Sequence, residues 1–119
     1  MDEVQAKGGY IDMEISSVFA ELTQKVNENP EGIQGVNAIY QFDLDEGGTY
    51  QIQFADGKAE QYEGTPLDAQ CTMRLSEKNF AKLVQGELNP TMAFMSGKLK
   101  IDGDLSLAMK LQSILKNYQ

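Results

Sequence analysis

Three groups of residues in this chain have types and spacing that could support chemistry. They are the single cysteine Cys71, the acidic run DLDEGG at residues 43–48, and the pair Asp102 and Asp104. The chain contains no histidine, so the commonest general base and metal ligand is missing. A thiol or a carboxylate in this chain would therefore have to act without an imidazole partner.

Cys71 lies in residues 69–75, where apolar and polar side chains alternate. This alternation predicts a strand with one buried face, and Cys71 falls on the apolar side of it. A thiol surrounded by apolar side chains has a raised pKa and behaves as a small hydrophobic group. The sequence therefore predicts a structural cysteine.

The acidic run at residues 43–48 resembles the start of a calcium-binding loop, because acids at alternate positions are followed by glycine. The bidentate glutamate that closes such a loop would fall on Phe54, and the flanking residues alternate as strands do. A hairpin loop is the better interpretation. A turn and a helix cap likewise explain Asp102 and Asp104. No metal, cofactor or phosphate loop is predicted, and the sequence indicates that the protein is not an enzyme.

Composition restricts the partners. Eighteen acidic and ten basic residues give a formal net charge of -8, and the lysines are scattered. Such a surface repels phosphate backbones, so we expect no nucleic-acid partner and at most transient membrane contact. A lone cysteine, no basic and apolar leader, and no run of ~20 apolar residues favour a cytoplasmic location.

The length of 119 residues predicts one domain, residues 1–119, in which residues 1–10 form a flexible N-terminal segment. Apolar residues recur at helical spacing over residues 13–26, and Asn29-Pro30 ends this helix. Alternating patterns then predict strands over residues 40–44, 50–54, 58–62 and 69–75.

The remaining residues predict three helices, with Ser76, Asn89 and Asp104 as their caps. A fifth strand, residues 98–102, separates the second of these helices from the last, residues 105–116. The order of elements predicts an α+β fold with a five-stranded, mainly antiparallel sheet and helices packed on one face.

The last predicted helix carries more apolar surface than a sheet contact needs. Beside a main stripe of five apolar residues lies a second strip, Leu105 and Met109, and the preceding short helix adds Met92 and Met95. Methionine suits both an irregular core gap and a pocket for ligands of variable shape. By itself this pattern favours ordinary core packing.

Four segments of the chain resemble the sterol carrier protein 2 family, the non-specific lipid-transfer proteins. They are AQCTMRLSEKNF at residues 69–80, GELNPTMAF at 86–94, SGKLKIDGD at 96–104 and LAMKLQ at 107–112. The likeness is continuous over residues 69–115, and upstream the order and length of the elements carry it.

This resemblance implies that the sheet and helices enclose an apolar tunnel, which holds a fatty acid, fatty acyl-CoA, sterol or phospholipid without catalysing a reaction. It also implies that Thr91 and Met109 face the ligand. Some relatives have glutamine at both positions, so the tunnel here would be less polar and would favour simple acyl chains. The predicted ligand-binding residues are Phe19, Leu22, Met73, Phe80, Leu83, Thr91, Met92, Met95, Leu105 and Met109.

Five other apolar residues of the C-terminal part are expected to belong to the core instead. These are Phe94, Leu99, Ile101, Leu107 and Leu111. The alternative function is a dimerisation or accessory scaffold module without a lipid ligand, because domains of this type also occur fused to enzymes. In that case a homodimer, rather than a monomer, would bury Leu105 and Met109 between subunits.

Overall fold

A computed structural model describes residues 10–45 and 47–119, with side chains from Ile15 onward. The helices are α1 (Tyr10–Glu28), α2 (Glu77–Gln85), α3 (Pro90–Met95) and α4 (Leu105–Lys116), with a 3₁₀ turn at Pro30–Ile33. The strands are β1 (Ala38–Leu44), β2 (Gly48–Ala55), β3 (Lys58–Glu63), β4 (Cys71–Leu75) and β5 (Lys100–Gly103). The segment expected to be flexible, residues 1–10, lies outside the described residues except for Tyr10, where α1 begins.

The strands form one sheet in the order β3-β2-β1-β4-β5. The neighbouring strands are antiparallel except for β1 and β4, which run parallel and place Tyr40 opposite Cys71. The predicted α+β fold with a mainly antiparallel sheet is confirmed. Because the parallel pair is central, it joins the N-terminal hairpins to the C-terminal strands and helices in one sheet.

The core lies between the sheet and the helices that cover one of its faces. Tyr40 and Phe42 of β1 point to this face and are buried, as is Met73 of β4. Phe19 of α1 packs between sheet and helix, with its ring centroid 5.8 Å from Phe42 and 4.5 Å from Phe80 of α2. Aromatic rings thus fill the centre of the domain between α1, α2 and the sheet.

The opposite face of the sheet is polar. Arg74 of β4 lies 3.4 Å from carboxylate oxygens of Asp43 and of Asp102, on the strands to either side. Gln51 is fully buried, and hydrogen bonds satisfy its side-chain amide. The amide donates to the Leu67 carbonyl at 2.8 Å and accepts from the Leu67 N–H at 3.0 Å. This pairing holds the connection from β3 to β4 against the sheet.

Capping residues in the sequence predicted most helix ends correctly. Ser76 and Asn89 accept hydrogen bonds from Asn79 and Met92 N–H groups, and Gly86 ends α2 with a φ of 84°. The fifth strand begins two residues later than predicted, because Lys98 and Leu99 both donate to the Ala93 carbonyl. None of the described helices combines the length and the apolar composition needed to cross a membrane.

Candidate functional site

An apolar groove of about 210 Å³ opens between α3 and α4, with β5 as its floor. It is lined by Pro90, Thr91, Phe94, Ile101, Leu105, Ala108 and Met109. Three consecutive elements of the chain therefore build this site.

Hydrogen bonds at the ends of these elements set the shape of the groove. The Ala93 carbonyl accepts from Lys98 and Leu99 N–H groups at 2.9 and 3.1 Å, so the chain turns from α3 directly into β5. On the other side, the Tyr40 hydroxyl donates to the Leu107 carbonyl at 2.7 Å. This bond ties the first turn of α4 to the central strand. Both walls of the groove are thus anchored to the sheet.

The turn between β5 and α4 also depends on Gly103. Its φ is 97°, and a Cβ at this position would lie 2.4 Å from the Gln70 carbonyl oxygen. A side chain would therefore push the start of α4 away from the sheet. The turn predicted at Asp102-Gly103 is wrong in position, because both residues belong to β5 and α4 begins at Leu105.

The groove offers almost no polar chemistry. Among the described residues that line it, Thr91 has the one polar side chain, and its hydroxyl lies 3.4 Å from Met109 Sδ, a weak acceptor. No charged side chain is among these lining residues. The site can surround an apolar group, but its lining residues include no general acid or base that could activate the Thr91 hydroxyl.

The titratable groups near the sheet have structural roles. Cys71 is fully buried, and burial, together with the charge of Asp104, raises the pKa of its thiol to about 11. Burial also raises the pKa of Tyr40. The Ser106 hydroxyl and N–H donate to Asp104 and lower the pKa of its carboxyl.

These positions test the interpretations of the candidate chemical groups. The structural interpretation of Cys71 is confirmed by its burial, and Asp104 is the cap of α4. Asp102 pairs with Arg74 on the polar face of the sheet. In residues 10–45 and 47–119 no three His, Cys, Asp or Glu side chains are grouped so that they could hold a metal ion.

The ten predicted ligand-binding residues fall into three groups. Thr91, expected from the resemblance, comes together in the groove with Leu105 and Met109, which form the second apolar strip on α4. Met92 and Met95 lie outside it on the exposed side of α3, with 69% and 80% of their surfaces accessible. The other five are buried and do not line the groove: Phe19, Leu22, Met73, Phe80 and Leu83.

The tunnel expected from the resemblance remains a prediction, because the apolar site described between α3 and α4 is an open groove. Between the sheet and α1 and α2, aromatic rings are packed together, with Phe19 stacked on both Phe80 and Tyr50. A ligand contact with these buried residues would require the packed rings to separate. Their role in binding remains a prediction.

Other groove residues were not predicted. Both Phe94 and Ile101 line the groove. The core assignment of Phe94 is wrong, because it is 44% exposed, whereas Ile101 is half-buried against the core and lines the groove as well. A signal for Phe94 was present, since it follows Thr91 by three residues and therefore shares its helix face. The core assignments of Leu99 and Leu111 are confirmed, and Leu107 is half-buried against the core.

Fold and groove together define a small α+β domain that presents a concave apolar surface with no charged side chain among its described lining residues. A family model described as the SCP-2 sterol transfer family matches residues 19–116, and the chain belongs to this family. The expected family resemblance is thereby confirmed.

Individual relatives agree with this assignment. Hydroxysteroid dehydrogenase-like protein 2 of Xenopus tropicalis is 39% identical over 104 residues, which are 85% of this chain and 24% of that protein. The chain thus spans about a quarter of the length of this relative.

Solved structures share the fold. The sterol carrier protein domain 2 of Helicoverpa armigera superposes with a TM-score of 0.76 at 28% identity, covering 96% of this chain and 94% of the other. Sterol carrier protein 2 of Aedes aegypti, solved in complex with palmitate, has a TM-score of 0.64 at 18% identity, covering 86% of this chain and 97% of the other. At that identity the second comparison shows the fold alone.

Proposed function

We propose that this chain binds the apolar tail of a single-chain lipid, such as a fatty acid or fatty acyl group, in the groove between α3 and α4. The observation that carries the proposal is the groove itself, which is open at the surface and lined by apolar side chains around Thr91. The palmitate complex of the Aedes aegypti relative supports a fatty acyl ligand. The chain would hold or transfer the lipid and catalyse no reaction on it.

The size of the groove favours one acyl chain over a bulkier ligand. Its volume of about 210 Å³ lies below the roughly 300–1,000 Å³ of pockets that enclose drug-sized ligands. A segment of an acyl chain fits, and each buried methylene contributes ~0.8 kcal/mol to binding. Since no charged side chain lines the groove, a carboxylate or other headgroup would remain in solvent.

A titration tests this proposal. Delipidated protein should bind a fluorescent fatty acid saturably, and unlabelled palmitate should displace the probe. Leu105→Gln should weaken binding severalfold because it places an amide in the groove wall. Lys110→Gln places the same side chain on the same helix outside the groove and should leave the affinity unchanged. Binding that does not saturate up to the solubility limit of the probe would refute the proposal.

A second candidate function is an accessory or dimerisation module. It is favoured by the likeness to hydroxysteroid dehydrogenase-like protein 2, of which the matched segment forms only 24%. In this case Leu105 and Met109, each about half exposed, would be covered by another subunit. Light scattering of the delipidated protein distinguishes the two functions, since a stable dimer that takes up no fatty acid would support the second.

The location we propose is the cytoplasm. Cys71 is the single cysteine of the chain and is buried, so the fold uses no intrachain disulfide. Fractionation of the source cells tests this proposal, and recovery inside a sealed organelle would contradict it.

A further inference from the structure

The exposed apolar side chains of this protein are gathered on one region of the surface. Among the described residues, the large hydrophobic side chains that remain exposed all belong to α3 and α4: Met92, Phe94, Met95, Leu105 and Met109. Scattered apolar residues are normal on a protein surface, whereas a contiguous group marks a contact with another apolar phase.

The groove accounts for only part of this surface. Phe94, Leu105 and Met109 line it, and a ligand in the groove would cover them. Met92 and Met95 do not line it, although they are the most exposed of the five. They are three residues apart on α3 and therefore share one helix face, which lies beside the groove. A bound acyl chain would leave this pair in water.

Charge is distributed unevenly between this region and the rest of the chain. Residues 88–119 contain four lysines and two aspartates, a net charge of +2, whereas residues 1–87 carry -10 of the total. No acidic residue occurs between Glu87 and Asp102, the stretch that contains all of α3. The exposed Lys98 follows α3, and the exposed Lys110 lies beside Met109 on α4. The exposed apolar side chains thus belong to the basic segment of an otherwise acidic chain.

We propose that α3 docks onto an anionic lipid bilayer, with Met92 and Met95 inserted at the interface, Lys98 and Lys110 near the headgroups, and the groove mouth facing the membrane. Exposed apolar side chains flanked by lysines are the combination that binds such interfaces. The acidic remainder of the chain would be repelled from the same surface, which orients the molecule. This inference deepens the proposed lipid-binding function, because the bilayer becomes the source of the ligand.

A second copy of the chain is a poorer fit to the same surface. A symmetric dimer through α3 would place Lys98 and Lys110 of one copy against the basic region of the other, and like charges repel.

Vesicle flotation with the complete chain tests the docking surface. Vesicles of phosphatidylcholine are compared with vesicles that contain about 30 mol% phosphatidylserine, because anionic lipid supplies the attraction to lysine. Met92→Gln with Met95→Gln removes the apolar pair and keeps unbranched, helix-compatible side chains. Lys98→Gln with Lys110→Gln removes two charges at the patch. Lys58→Gln with Lys78→Gln is the matched control, since it removes two exposed charges elsewhere.

We expect the unaltered protein to bind anionic vesicles at least tenfold more tightly than neutral ones. The methionine pair variant should lose tenfold or more of this binding, and so should the Lys98 and Lys110 pair, while the control pair should not. Equal vesicle binding by the unaltered protein and the methionine variant would overturn the proposal. An equal loss of vesicle binding in the control pair would also overturn it. So would the finding that the unaltered protein is a dimer and that the methionine variant is a monomer.

Fatty-acid titration separates this proposal from the function on which it depends. Because Met92 and Met95 lie outside the groove, their variant should keep the affinity of the unaltered protein for a fluorescent fatty acid. Lost vesicle binding with retained fatty-acid binding supports docking through α3. If the unaltered protein takes up no fatty acid, the proposed function fails, and the vesicle comparison still decides whether α3 is a membrane-contact surface.

Discussion

Replacing Met109 by tryptophan should weaken fatty-acid binding while leaving the fold intact. Met109 lines the groove and is 53% exposed, so a larger side chain can extend into the groove without displacing the core. The buried face of α4 is formed by other residues, Ala108, Leu111, Ile114 and Leu115. We therefore expect the free energy of unfolding to change by no more than about 0.5 kcal/mol.

The loss of affinity follows from the volume that the indole occupies. Tryptophan adds about six heavy atoms to the side chain and should exclude about three methylenes of the ligand, each worth ~0.8 kcal/mol. Binding should therefore weaken by about 2.4 kcal/mol, which corresponds to a roughly 50-fold higher Kd. A groove of about 210 Å³ cannot accept both the indole and the full segment of acyl chain.

The assay is a titration with a fluorescent fatty acid, performed beside urea denaturation of the same preparations. Ser113→Trp is the control, because Ser113 is exposed one turn further along α4 and does not line the groove. The control should bind like the unaltered protein. Unchanged affinity in the Met109→Trp protein, with normal stability, would show that the acyl chain binds elsewhere.

Three further predictions concern the core and its titratable groups. Phe19→Ala should lower the free energy of unfolding by about 3–5 kcal/mol in urea denaturation, because the ring packs on Phe80 in the closed core. Its folded fraction should keep its fatty-acid affinity, and a changed affinity would show that the site extends into the core. Tyr40→Phe removes the hydrogen bond to the Leu107 carbonyl and should cost about 1 kcal/mol in the same measurement. Burial raises the pKa of Cys71 from 9.0 to about 11, so the unfolded thiol ionises first and stability should fall as pH rises from 9 to 11. Below pH 9 the thiol is neutral in both the folded and the unfolded state, so it does not change the stability. When urea denaturation is compared at pH 8 and pH 10, the free energy of unfolding of Cys71→Ala should therefore fall less than that of the unaltered protein.

The local parts of the fold could be predicted from short stretches of sequence. Ser76, Asn89 and Asp104 cap the helices that they were expected to cap, because a cap depends on hydrogen bonds within one helical turn. Alternation of apolar residues likewise predicted which face of β1 and β4 is buried. These signals extend over only a few residues, so no tertiary contact is needed to recognise them.

The arrangement of those elements depends on contacts between distant residues. The parallel pairing of β1 with β4 joins Tyr40 to Cys71, and no local pattern specifies which strands become neighbours. Local sequence also does not decide whether Phe19 and Phe80 line a tunnel or pack in a core, because phenylalanine suits both environments. Their stacking at 4.5 Å closes the interior at that point.

The sequence by itself determined that α4 carries apolar surface beyond what its sheet contact uses, and Leu105 and Met109 are indeed about half exposed. Only the tertiary structure decided which residues share that surface. It added Phe94 and Ile101 to the groove, and it separated Met92 and Met95 from it. The physical reason is that periodicity reports the face of one element, whereas a groove is formed by the angles at which α3, β5 and α4 meet.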